Sequence, residues 1–473
     1  MKSLGFHAPR ALCVAAGLIF VVACGERAKA PAAGEEPLPT APRNEGPLVP
    51  ADEPSVAPVA EAAAAEKIAE GPVSAIASGK KAPKGTCVLA APRPVDLGSA
   101  VTAAAIAPSA DGFVVAWYAR SGTKENGAKE TVELRAVDTA GAARKLGAIP
   151  LGTASKGPRF APPSVFVRRD GSLLLGALDG AGRAVAAVTA TGAAAAEWIT
   201  LGADADVRFP VAVHDTGAVH DTGTALLAAW TRLEAGTARL ELTRVSATEV
   251  LETHDVSPPG MGGAAPVFVD GSDGATLLFL DPREGMSPIV RVAISSAGAP
   301  GAPEVLRPVS AAPGLPVIAA ARSATELFVA YAAIGTAATT AVGVFSLRTK
   351  DASPVPLLAG KGYGVLRVSA APGPNRAVVA AEVPKDTSPE GPRAIALFLV
   401  DESIVSPTGP VRAPDPAFVL DAAAKPGASP PAGDARRDRG VRAPALARAS
   451  NGTLGLAYTD AGGVHVALFS CDD

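Results

Sequence analysis

Aromatic residues make up only 4% of this 473-residue chain. Three tryptophans and four tyrosines cannot build a core of stacked rings, so the interior has to be assembled from Ala, Val and Leu. The apolar run Ala11 to Val22 is too short to cross a bilayer as an ordinary helix. Charged residues are 19% of the chain and net to −3, so there is no basic excess to track nucleic-acid phosphates. Also missing are a Gly-x-Ser-x-Gly elbow, a phosphate-binding loop, a Trp-Asp repeat signature and a tryptophan docking motif. These absences remove the common nucleophile and nucleotide classes, and the expected cofactor content is none.

Glycine and proline are abundant at 49 and 44 residues, which breaks the chain into short pieces and favours strands over long helices. One piece recurs. Phe113-Val114-Val115-Ala116-Trp117 follows Asp111-Gly112, and its relatives are Leu173 to Ala177, Leu226 to Trp230, Leu277 to Asp281, Leu327 to Tyr331, Val378 to Glu382 and Leu454 to Tyr458. An earlier strand precedes each pentad, as in Val101 to Ile106, Ser164 to Arg168 and Val317 to Ala321. A third alternating run follows, as in Thr131 to Val137, Ala184 to Thr189 and Arg393 to Val400. A weaker fourth closes most units, as in Arg144 to Ile149, Glu304 to Val309 and Ala417 to Leu420. Four strands per unit at about 50 to 60 residues is the grammar of a propeller, in which blades bury their faces against each other. Seven pentads predict an all-β, seven-bladed β-propeller with four-stranded antiparallel blades.

The last unit stops at Asp473 without a fourth strand, and Cys87 to Leu97, ahead of the first unit, resembles the missing piece. The ring is therefore expected to close by sharing its last blade between the two ends of the domain.

The first 24 residues carry a basic start, Lys2 and Arg10, then the apolar run, then Val21-Val22-Ala23-Cys24. That ending resembles the lipobox of bacterial lipoproteins. The resemblance implies cleavage before Cys24, a diacylated thiol, acylation of the new amine, and anchoring by more than one chain. It also implies a place in the cell envelope, and Gly25 in the following position leans toward the outer membrane. Cleavage would remove two of the 43 basic residues and no acid, leaving 41 against 46, a net of about −5. Cys13 leaves with the signal and Cys24 takes lipid, so Cys87 and Cys471 remain, an exported pair expected to be bridged.

Residues 24–85 are rich in Pro, Ala and Glu, which predicts a disordered tether with a short helix near Glu61 to Glu70. The propeller is expected over 86–473, with a mobile loop at 421–440 that carries the cluster Arg436-Arg437-Asp438-Arg439.

Ala212 to Gly217 is repeated at once as Ala218 to Gly223, giving His214, Asp215, His220 and Asp221 in tandem. Imidazole and carboxylate could hold a divalent metal, but the spacing is not that of a structural zinc site, and a duplicated turn explains it as well. No metal is predicted. The turn Ser109-Ala110-Asp111-Gly112-Phe113, with Trp117 beyond, resembles in part the Asp-box of sialidase-type propellers, though here Gly follows Asp directly. Those enzymes also need a tyrosine nucleophile and an arginine cluster, which this reading does not find. The expectation is a binding or scaffold module for a protein or glycan, more a binder than an enzyme. Two alternatives are a glycan hydrolase or lyase, with acids such as Asp111 or Glu382, and an outer-membrane assembly lipoprotein.

Overall fold

A computed structural model describes residue 82 and residues 84–472 apart from 123–126, 156–158, 190–195, 221–222, 272–273, 283–286, 310–316, 335–338, 351–353, 362–365, 386–391, 406–412, 422–439 and 461–462. The lipobox with Cys24, the proposed tether helix, Asp221 and most of the 421–440 loop lie outside the described residues, as does the side chain of His220.

Six of the units are four-stranded antiparallel sheets in which chain order equals spatial order, and the seventh has its fourth, outer position filled from the N-terminal side of the domain. Blade one runs through Ala104–Ser109, Gly112–Ser121, Lys129–Asp138 and Ala143–Thr153. The inner strands that open the other six blades are Ser164–Val167, Ala212–His220, Ala264–Asp270, Val317–Arg322, Val368–Pro372 and Arg442–Arg448. All seven pentads fall on second strands, and only Asp281 sits one residue beyond its strand, Gly274–Leu280.

Apart from Asp281 and Glu382 at the ends of two of them, the pentads are apolar because both faces are covered. Phe113, Val115 and Trp117 enter a core shared with blade seven, and Val114, Ala116 and Tyr118 enter the core shared with blade two. Such period-2 division continues: Leu173, Leu175 and Ala177 face back to blade one, and Leu174 and Leu178 face forward to blade three. Among the described residues each pair of neighbouring blades shares a core, the last joining blade seven to blade one, and a further small cluster of Phe209, Ala238, Ala264 and Ala265 lies between blades three and four. The chain is a seven-bladed β-propeller.

Closure follows the predicted plan with one added detail. Two short strands, Cys87–Leu89 and Val95–Gly98, both pair with Val464–Cys471, so the shared outer strand is interrupted rather than continuous. Cys87 stands opposite Cys471 and the two are joined by a disulfide with an S–S distance of 2.08 Å.

Two expectations shift. The first strand of blade one is Ala104–Ser109 instead of Val101 to Ile106. The Val101 amide leaves the ladder to donate to the Tyr118 carbonyl, and Pro108 is accepted because this strand's free edge faces the channel. Two short helical pieces, Leu347–Thr349 and Glu402–Val405, were not expected.

The Asp111-Gly112 step is a tight turn, with Ser109 paired to Gly112. Gly112 has φ +153, and a Cβ there would come within 2.3 Å of the Val137 carbonyl oxygen, so only glycine fits. Asp111 is exposed at the tip, while Trp117 is buried and donates its indole N–H to the Ser99 carbonyl at 3.0 Å. The likeness to an Asp-box therefore ends in a hairpin turn and a core side chain.

Tyr118 carries a measurable consequence of this packing. Its hydroxyl accepts the Leu178 amide at 2.9 Å across the boundary between blades one and two, and burial pushes its pKa up to about 12, only partly offset by Arg159. A folded pKa above the unfolded value near 10 stabilises the fold at lower pH and is lost as pH rises. Stability should thus fall between about pH 10 and 12, and Tyr118→Phe should flatten that part of the alkaline unfolding curve followed by circular dichroism.

Candidate functional site: the central channel

The inner strands touch their neighbours all round the ring and enclose a central channel of about 900 Å³. Its walls are mostly small or rigid, with Ala103, Ala104, Pro163, Pro266 and Ala445 among them, as a core short of aromatics would predict. Polar groups gather at its two ends. The upper mouth is taken here as the end where inner strands begin.

At the lower end, side chains tie blade to blade. Arg168 donates to Asp215 at 3.1 Å and to the Ala225 carbonyl at 2.8 Å, linking blades two and three. His214 Nε2 meets Asp270 of blade four at 2.8 Å, and Arg322 of blade five donates to the Asp270 carbonyl at 2.8 Å. The His214 bond holds the Asp270 carboxyl below its ordinary range, opposed by desolvation.

This arrangement settles where the tandem hexamer goes. Its first copy is the inner strand of blade three, with His214 opposite Leu227, and a register shift between Asp215 and Val219 absorbs added residues. His214 lies between the rings of Phe166 and Phe268, at 5.1 and 5.3 Å, and both imidazole nitrogens are engaged, Nδ1 with the Asp215 carbonyl. No group of three or more potential ligands forms a metal site among the described residues. His214 and Asp215 thus make their side-chain contacts with blades four and two respectively.

The upper mouth holds the charged groups. Glu382 is 4% exposed and its carboxylate accepts from Arg393 at 3.3 Å and from the Ala443 amide of blade seven at 2.7 Å. Arg208 grips Asp206 through its guanidinium. Asp460 meets His465 at 2.9 Å. Arg367, at the start of blade six, donates to the Phe160 carbonyl at 2.7 Å, just ahead of blade two on the opposite side of the ring. Asp281 has the same position in its blade as Glu382, and it accepts the Gly262 amide at 3.0 Å, capping the segment before its own inner strand. Asp111 lies on the lower-face turn and is not part of the channel wall.

Behind the mouth, Arg159 reaches the fully buried Glu130 through Nε at 3.1 Å and through a second, shorter contact. It also donates to the Asp179 carbonyl at 3.1 Å and lies 4.6 Å over the Tyr118 ring. Arg120 completes the group, 3.2 Å from the other Glu130 oxygen. This cluster locks blade one to blade two.

Sequence reasoning missed the arginines of this end. A signal exists: Arg159-Phe160-Ala161-Pro162 and Arg208-Phe209-Pro210 lead into inner strands, and Arg442-Ala443-Pro444 opens one. The repeat is short and lies in the linkers or at the first residues of an inner strand, where the pentad pattern does not reach.

No family model matches the chain, and no curated protein does. Among solved structures it is similar to the extracellular domains 1–2 of Drosophila Semaphorin 1b, at 12% identity and TM-score 0.39, over 82% of this chain and 87% of that one. The six-bladed propeller lectin of Aleuria aurantia gives 12% identity and TM-score 0.36, over 63% and 87%. AofleA from Arthrobotrys oligospora gives 12% and 0.37, over 63% and 82%. At these values no residue of theirs is carried over to this chain.

Proposed function

We propose that this chain is a lipid-anchored binding module of the cell envelope, which takes a glycan or a protein segment at the upper mouth of its channel. The observation that carries the reading is the state of the acids that line the channel. Glu382 is bonded through both oxygens and Asp270 to His214, each across a blade boundary, and Asp460 is bonded to His465 within blade seven, so each of these acids is engaged in the structure. A retaining or inverting glycosidase instead needs two carboxyl groups, one with a raised pKa, converging on a substrate. A rigid ring that presents a polar mouth suits capture more than turnover.

The anchor rests on Val21-Val22-Ala23-Cys24, and residues 24–85 supply a tether between lipid and ring. Two measurements test the reading. Labelled palmitate should enter the full-length protein expressed in a bacterium and be lost in Cys24→Ser. The purified chain should retain particular glycans on an array without releasing reducing ends; steady release of sugar would favour the hydrolase, and retention of a folded envelope protein in its place would favour the assembly role.

A further inference from the structure

The cation at Arg367 is not matched as its neighbours are. Arg208 has Asp206, Arg393 has Glu382 and Arg159 has Glu130. The guanidinium of Arg367 is half-buried and reaches a neutral carbonyl, that of Phe160, with no carboxylate pairing it among the described residues. A carbonyl satisfies one donor but leaves the charge itself uncompensated, which is costly away from bulk water. Five arginines line the channel wall, Arg208, Arg367, Arg393, Arg442 and Arg448, together with Asp270, Glu382 and Asp460, and Arg208 is in addition paired with Asp206 just behind the wall. Most of the arginines stand at the upper mouth, where walls of low dielectric focus their field.

From this geometry we propose that Arg367 is the recognition point for the carboxylate of an acidic sugar, and that its guanidinium leaves the Phe160 carbonyl to form a paired hydrogen bond with that carboxylate. The inference rests on the binding reading above and names the ligand class of the same site. A planar guanidinium matches a carboxylate with two parallel bonds, which a lysine ammonium cannot reproduce. A channel of about 900 Å³ is within the range of pockets that enclose a short saccharide, and it is far too narrow for a folded partner. The exchange is conservative: one neutral acceptor is replaced by a charged one, and the freed Phe160 carbonyl is left to water or to a sugar hydroxyl. Because Arg367 bridges blade six to the segment before blade two, its release also opens the mouth at the level where it now crosses.

The test is titration calorimetry of the full chain with trigalacturonate, the neutral galactotriose and tetraglutamate as probes, on wild type, Arg367→Gln and Arg367→Lys. Trigalacturonate should bind at least tenfold more tightly than galactotriose. Arg367→Gln should lose at least tenfold toward the acidic sugar alone, and Arg367→Lys should fall between, with thermal midpoints near wild type confirming that both fold. Equal binding by wild type and Arg367→Gln would overturn the proposal, as would equal affinity for the neutral sugar, though the latter leaves the glycan-binding reading intact. Binding of tetraglutamate without the sugars would replace the acidic sugar by an acidic peptide, and binding of none of the three would sink both this inference and the glycan reading.

Discussion

Replacing Cys87 and Cys471 together by serine should lower the stability of the ring by about 2–5 kcal/mol. The bond joins residues 384 apart, so in its absence the unfolded chain gains the freedom of a very long loop. Loop-closure entropy alone gives about 6 kcal/mol as an upper value, reduced in practice by residual structure in the unfolded chain. Spread over the large unfolding entropy of a domain this size, the change amounts to a midpoint shift of only about 3–6 °C in a thermal scan. The kinetic effect should be plainer. The outer strand of blade seven is supplied by Cys87–Leu89 and Val95–Gly98, which bring one end of the domain into the sheet built by the other. Without the bond these strands should detach first, so amides of 87–98 and 464–471 should exchange faster than the rest of the ring. A variant with unchanged midpoint and unchanged exchange would show that pairing alone closes the propeller.

Arg159→Ala should cost about 3–5 kcal/mol, because it breaks a buried ion pair and leaves the fully buried Glu130 with the more exposed Arg120 and the distant Ser155 amide as partners. It also removes the bond to the Asp179 carbonyl and the cation over the Tyr118 ring. The pair joins blades one and two, so the loss falls on an interface rather than on one blade. Replacing both charges by apolar groups of similar size, Arg159→Met with Glu130→Leu, should recover much of the loss, since an absent pair is cheaper than a broken one. Denaturant unfolding of the two singles and the double gives the coupling directly. Singles that sum to the double would mean that the contact is exposed in solution.

The repeat could be read from the chain because a second strand packed on both sides must be apolar along nearly its whole length, an acid being accepted only at the end, where Asp281 and Glu382 meet backbone amides. Phe113 to Trp117 shows this, since alternate side chains feed two different cores. Ring closure could be read as well: the cysteines flank the unpaired strand and the missing partner. What sequence pattern did not show is held by contacts between remote residues. Glu130 and Arg159 are 29 positions apart, and Arg367 and Phe160 are 207 apart. Nothing in local periodicity marks such pairs. The tandem hexamer drew attention by its composition, yet His214 is placed by Phe166 and Phe268 from the blades on either side, which only the folded ring brings near. Val101 to Ala103 have the composition of a strand, yet the Val101 amide turns to the Tyr118 carbonyl and the first strand of blade one begins at Ala104.

The central claim is that the upper mouth of the channel is a binding surface and that the ring around it does not turn over its ligand. Hydrogen exchange of the full chain, with and without a glycan retained on the array, tests it most directly. The account predicts protection confined to the segments 159–163, 206–211, 366–369 and 440–445, with the glycan recovered intact. Protection on the outer strands or on the lower turns, or recovery of a cleaved glycan, would contradict it.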